Sequence, residues 1–222
     1  MKYTPETKEE LKALCDDLSV NLGDIDTSKI TDMGGLFYGS ARMDFSGIES
    51  WDVSNVVSMD RMFACDNFFN CDLSKWDVSN VKYMGGMFSG CSIFSSDLSS
   101  WNVSKVTDMS IMFEYSKINS DISNWDVSNV RNMRGMFQGA VSFNQDISRW
   151  DVSNVRNMRG MFQGAVSFNQ DISRWNVSNV KHMKSMFDGS ASFNQILPKE
   201  WAKKAGYTNS VEKKNKPQGV SR

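Results

Sequence analysis

The chain has 222 residues, 40% of them apolar, and a net charge of −1, enough for one domain with a full core. Its apolar runs are too short for a membrane-spanning helix. The N-terminal MKYTPETKEELKALC lacks the apolar stretch of a secretory signal, so the sequence reads as cytoplasmic. Cys15, Cys65, Cys71 and Cys91 show no CxxC spacing, so reduced thiols are expected, with a Cys65–Cys91 disulfide between adjacent repeats as the alternative.

The first 24 residues read as a helical cap. Thr4 is placed to cap a helix, Pro5 fits its first position, and glutamates follow. Leu11, Leu14, Cys15 and Leu18 fall at i, i+3, i+4 and i+7 and give that helix one apolar face.

From residue 25 to 201 the chain repeats itself. Residues 125–149, WDVSNVRNMRGMFQGAVSFNQDISR, recur letter for letter as 150–174. Trp51, Trp76, Trp101, Trp125, Trp150, Trp175 and Trp201 are all the tryptophans, spaced 25, 25, 24, 25, 25 and 26 apart. Met62-Phe63, Met87-Phe88, Met112-Phe113, Met136-Phe137, Met161-Phe162 and Met186-Phe187 keep the same beat. Leu36-Phe37 is an earlier copy in which Ile25 takes the tryptophan place, making about seven units. The fourth is one residue short, in the loop EYSKI after its Met-Phe pair.

Within one unit, Trp150-x-Val152 alternates as a short strand does. Met158, Met161 and Phe162 have the i, i+3, i+4 spacing of a short helix, with Gly164 as its stop. The expected fold class is thus an α/β repeat solenoid: a right-handed stack of leucine-rich-repeat-like coils with short parallel strands, short helices and a helical N-terminal cap. A single coil cannot bury its own apolar side chains, whereas neighbours cover one another. The aromatic and methionine columns therefore read as core.

Polar columns run beside them. Ser54, Ser79, Ser104, Ser128, Ser153 and Ser178 share one position; Asn55, Asn80, Asn129, Asn154 and Asn179 share the next, with Lys105 as the exception. Such short side chains suit bonds to backbone groups at bends. Asp72, Asp97, Asp121, Asp146 and Asp171 form an acidic column, read as turn caps in preference to calcium ligands, since no glycine-rich nonapeptide accompanies them. After the repeats, Pro198 starts a short helix through Ala205, with Trp201 facing the last coil. Residues 202–222 close the chain as a cap remnant and basic polar tail, and TNSVEKKNKPQGVSR reads as disordered.

The pattern FNQDIS-x-WDVSNV-xx-M-xx-MF-x-GA resembles the 25/26-residue repeat of bacterial BspA-type leucine-rich-repeat surface proteins, over residues 25–201. That resemblance implies a right-handed solenoid and a role in binding proteins or host surfaces. It places the motif residues in core and turns, with no catalytic set among them.

Catalysis finds little material. His182 is the single histidine and has no repeated partner; no phosphate loop, nucleophile elbow or metal-ligand spacing is present. The expectation is a protein without enzyme activity, cofactor or metal. Charge is unevenly spread. Residues 1–120 hold 10 basic against 18 acidic side chains, and residues 121–222 hold 15 against 8. The basic half is periodic: Arg131, Arg156 and Lys181 share one position, Arg134, Arg159 and Lys184 a second, Arg149 and Arg174 a third.

These columns, with Asp126 and Asp151 on the outward side of the expected strand, are the candidate binding residues. Duplication of an accidental pattern explains the columns equally well. The expected function is protein–protein recognition on the extended faces of the stack, by a monomer or a weak head-to-tail associate. Surface adhesion is the alternative. Nucleic acid is the least favoured partner, because the aromatics lie in core columns.

Overall fold

Each repeat carries its own chain-turning residues. In Met158-Arg159-Gly160-Met161-Phe162-Gln163-Gly164, the two glycines take φ of +62° and +70°. No α-helix contains such residues, so the helical spacing of Met158, Met161 and Phe162 closes as successive tight turns. Met161 N–H donates to Met158 O at 3.2 Å, Gln163 N–H to Gly160 O at 3.0 Å and Ala165 N–H to Phe162 O at 2.9 Å. The same left-handed positions fall on Arg61, Cys65, Ile111, Tyr115 and Ser185 in other coils.

The computed structural model describes residues 2–207. It overturns the expected α/β solenoid of strands and helices. Among the described residues the helices are α1 (Lys8–Asp16), α2 (Lys199–Ala205) and two 3-10 turns, Leu22–Asp24 and Ile48–Ser50, with no extended strand. Parallel pairing survives as single-residue bridges, running Asp32–Ser58–Tyr83–Asp108–Asn132–Asn157–His182. This column lies seven residues past the tryptophan, away from the Trp-x-Val segment. That segment bends instead: Asp151 Oδ1 accepts Ser153 N–H at 3.0 Å, and Val155 N–H turns back to Val152 O at 3.0 Å. A side chain that takes up a backbone donor removes it from strand pairing.

Successive coils are nonetheless tied together. Met133, Gly135, Phe137 and Gly139 donate their N–H groups to Asn157, Arg159, Met161 and Gln163 of the next coil, at 2.7–2.9 Å. Each tryptophan adds a side-chain rung: Nε1–H of Trp51, Trp76, Trp101, Trp125, Trp150 and Trp175 donates to a Leu or Ile carbonyl one coil back, at 2.8–3.1 Å. The phenylalanines of the Met-Phe pairs stack from Phe37 to Phe187 with centroids 5.4–5.8 Å apart. All these rings are buried, as are Val152, Val155, Met158, Met161 and Phe168 of the representative unit. In the 24-residue unit Ile118 fills the place of Phe94 and Phe143 and is equally buried.

The ends differ in detail from expectation. Helix α1 is capped by Thr7, whose Oγ1 accepts Glu10 N–H at 3.2 Å, so it starts later than Thr4 predicts. Leu11 and Cys15 are buried, whereas Leu18 lies beyond the helix end and is exposed. Arg42, itself buried, donates to Cys15 O and Asp17 O and closes that end. At the other end α2 brings the Trp201 ring within 6.4 Å of Trp175. Lys204 Nζ donates to Val177 O, Ser178 O and Val180 O of the last coil. The polar stretch from Thr208 onward lies outside the described residues. The four cysteines are free thiols, and Cys91 Sγ–H donates to Phe63 O at 2.9 Å. No helix among the described residues is long and apolar enough to cross a membrane.

Candidate recognition groove

In the triplets Asn129-Val130-Arg131, Asn154-Val155-Arg156 and Asn179-Val180-Lys181, the valine is buried and its two neighbours are exposed. The backbone fixes the cations in a row. Arg131 N–H donates to Thr107 O, Arg156 N–H to Arg131 O and Lys181 N–H to Arg156 O, at 2.8–2.9 Å. Parallel pairing of this kind sets the column at about 4.8 Å per coil. The asparagines are held as firmly. Nδ2 of Asn129, Asn154 and Asn179 donates to Ser104 O, Ser128 O and Ser153 O of the preceding coil, at 2.7–2.8 Å. These six side chains line a groove of about 420 Å³.

With one Nδ2–H held by the serine carbonyl behind it, each asparagine turns its Oδ1 away from that carbonyl and keeps a second N–H uncommitted. That assignment follows from the partner: a serine carbonyl accepts, so the atom facing it must be the donor. The groove therefore offers a row of amide oxygens beside a row of cations. Three like charges at this spacing repel within a screening length of about 8 Å, so an anion laid along them is favoured.

The remaining candidates divide. Arg134, Arg159 and Lys184 are exposed two residues past the bridged column. Arg134 N–H and Arg159 N–H donate to Asn132 Oδ1 and Asn157 Oδ1, which fixes a tight turn there. Arg149 and Arg174 are exposed just before the tryptophan and do not line the groove. Among the described residues, none of these eight cations forms an ion pair; the four pairs present are Lys2–Asp24, Lys8–Asp32, Lys12–Asp16 and Lys29–Glu6.

Asp126 and Asp151 do not form a strand-face site, since no sheet face exists for them to occupy. Each accepts the N–H of the serine two residues on, at 3.0 Å. The acidic column does the same: Asp72, Asp97, Asp121, Asp146 and Asp171 accept from Ser74, Ser99, Ser123, Ser148 and Ser173 at 2.9–3.0 Å. Those serine hydrogen bonds hold the five carboxyls below the usual range. No group of three metal-ligating side chains occurs among the described residues. His182 is exposed at the end of the bridged column.

Two features escaped sequence reasoning. The asparagine column reads as structural, and only the direction of its Nδ2 bonds reveals the outward Oδ1 row. The second is Asp66, in a column otherwise made of the half-buried Ser40 and the buried Cys91, Ser116, Ala140, Ala165 and Ser190. It is 5% exposed, its Oδ1 accepts Phe68 N–H at 2.9 Å, and its Oδ2 has no partner. Burial pushes its carboxyl above the usual range. The column's mixture of small residues is the signal that a carboxylate there is out of place.

Seven coils joined rung by rung, with a periodic exterior, define a tandem-repeat protein. The chain belongs to the family described as Mycoplasma protein of unknown function, DUF285, whose model matches residues 9–118 and 114–214 in two adjacent copies. Comparison with curated proteins and with solved structures found no match.

Proposed function

We propose that this chain is a non-catalytic recognition scaffold that binds a protein partner on the exposed faces of its coil stack. One observation carries the reading: on three successive coils, exposed arginines and lysines stand in register with no ion pair among the described residues. The cations that close the two ends of the stack differ, since Lys204 and Arg42 donate to backbone carbonyls. The likeness of the repeat to BspA-type surface repeats supports a binding role and favours, as a second reading, adhesion at a cell surface. Fractionation separates the two, since a protein found only in the cytosol is no adhesin.

The scaffold reading is tested by proximity labelling with the full chain against two variants. One carries Arg131→Glu, Arg156→Glu and Lys181→Glu; the other carries Arg134→Glu, Arg159→Glu and Lys184→Glu. The charge reversal in the groove is expected to lose partners that the wild type retains, with an unchanged circular dichroism spectrum. If both variants keep every partner, these faces are not where recognition occurs.

A further inference from the structure

We infer that the Asn129–Lys181 groove accepts an extended acidic polypeptide segment in preference to a phosphodiester strand, an inference that rests on the scaffold reading above. The groove offers two complementary rows. Arg131, Arg156 and Lys181 supply donors with positive charge, and the Oδ1 atoms of Asn129, Asn154 and Asn179 supply neutral acceptors. None of these three Oδ1 atoms receives a hydrogen bond from the described residues, whereas Asn80 Oδ1, earlier in the same column, accepts from Lys105 Nζ at 2.6 Å.

A ligand that satisfies both rows must itself carry anionic acceptors and neutral donors along one strand. An acidic polypeptide does so: its carboxylates meet the cations and its backbone N–H groups meet the amide oxygens. A phosphodiester backbone carries only acceptors. Its oxygens are drawn to the cations yet face three amide oxygens that repel them. Stacking cannot compensate, because the tryptophan and phenylalanine columns are buried and no aromatic ring lines the groove. Length agrees with a short segment. The outer cations are about 10 Å apart over two coil steps, the advance of about three extended residues.

A partly fixed lining favours this role. The asparagine side chains are held by the coil behind, and Arg131 and Arg156 stand on backbone tied to both neighbouring coils, Lys181 on backbone tied to one. Binding therefore orders the ligand more than the protein, which lowers its entropic cost. The exact duplication of residues 125–149 as 150–174 has a consequence on this view: it repeats one Asn-Val-Arg triplet in register and lengthens the groove by one coil.

The test is fluorescence anisotropy on the full chain with three probes: a blocked oligoglutamate peptide, its analogue with backbone esters at alternate positions, and a single-stranded oligothymidylate of equal charge. Oligoglutamate is expected to bind in a salt-dependent manner. Both other probes are expected to bind about tenfold more weakly, the factor that loss of one or two hydrogen bonds gives. The triple variant Arg131→Glu, Arg156→Glu, Lys181→Glu is expected to abolish binding, and the off-groove pair Arg149→Glu, Arg174→Glu to leave it largely intact.

Equal affinity for the ester analogue or for oligothymidylate overturns the inference, as does oligoglutamate binding that survives the triple reversal. Absence of oligoglutamate binding overturns it too. If the wild type then still captures partners that the charge-reversed chain loses, the scaffold reading stands without it.

Discussion

Gly139 and Gly164 occupy the same repeat position, with φ of +65° and +70°, and differ in what lies over them. A methyl group built on Gly164 meets nothing nearer than the backbone of Gly139 at 3.7 Å, an ordinary contact. On Gly139 it falls 2.3 Å and 2.4 Å from two ring carbons of Tyr115. Gly164→Ala therefore carries only the left-handed backbone cost, about 1–2 kcal/mol, less the roughly 0.5–1 kcal/mol by which alanine restricts the unfolded chain. Its net destabilisation is about 1 kcal/mol. Gly139→Ala adds the displacement of Tyr115. Overpacking costs about 1–3 kcal/mol, and the lower end applies because this ring is more than half exposed and turns into water. Urea unfolding of both variants, alone and with Tyr115→Ala, forms a double-mutant cycle. Gly139→Ala is expected to be worse by about 1 kcal/mol in the wild-type background and equal to Gly164→Ala once Tyr115 is truncated. Equal costs with Tyr115 present, or a gap that persists without it, would refute the reasoning.

Four further outcomes are expected. Ser185 holds φ of +60° with no side-chain bond among those described, so Ser185→Gly raises stability by about 0.5–1 kcal/mol in urea unfolding. Asp66→Ser, which installs the side chain that Ser40, Ser116 and Ser190 supply in other coils, raises the melting temperature at neutral pH. The raised carboxyl value means the penalty on Asp66 is absent below pH 3.8 and builds as pH rises through the folded value, so the advantage shrinks in acid. The capping aspartates act with the opposite sign. Their stabilisation is complete above the unfolded value of 3.8 and is lost as pH falls through the lowered folded values, so the urea midpoint declines in that acid range. Deletion of residues 150–174 removes one coil with both caps intact; circular dichroism is expected to show the same fold at a lower melting temperature. Loss of cooperative unfolding would show that coils are not interchangeable.

Periodicity made the stack legible before its local structure. Tryptophan spacing gave the period, and with the Met-Phe pairs it located the core columns, because burial at one position of a coil is repeated in every coil. The same regularity exposed the cation columns. What failed was the conformation inside the coil. Met158, Met161 and Phe162 have helical spacing, yet Gly160 between them takes a left-handed turn, and spacing of apolar residues is blind to that. Trp150-x-Val152 alternates as strands do, yet Asp151 captures the serine N–H that a strand requires. Side-chain hydrogen bonds decided both the fold of that segment and the face the asparagines show. Composition and spacing do not carry that direction.

Most backbone rungs between coils point one way; the N–H groups of Arg131, Arg156 and Lys181, which donate to the coil before, belong to the minority that run against them. Peptide units 132–133, 134–135, 136–137 and 138–139 each turn their carbonyl toward the coil before and their N–H toward the coil after. Stacked over successive coils, these aligned peptides sum to a permanent dipole along the stack, positive toward α2. The side chains add to it, since the first 120 residues are net acidic and the remainder net basic. The molecule is thus an electrical rod as well as a structural one. On the recognition role proposed above, such a field would turn the basic end, with the groove, toward an acidic partner before contact forms.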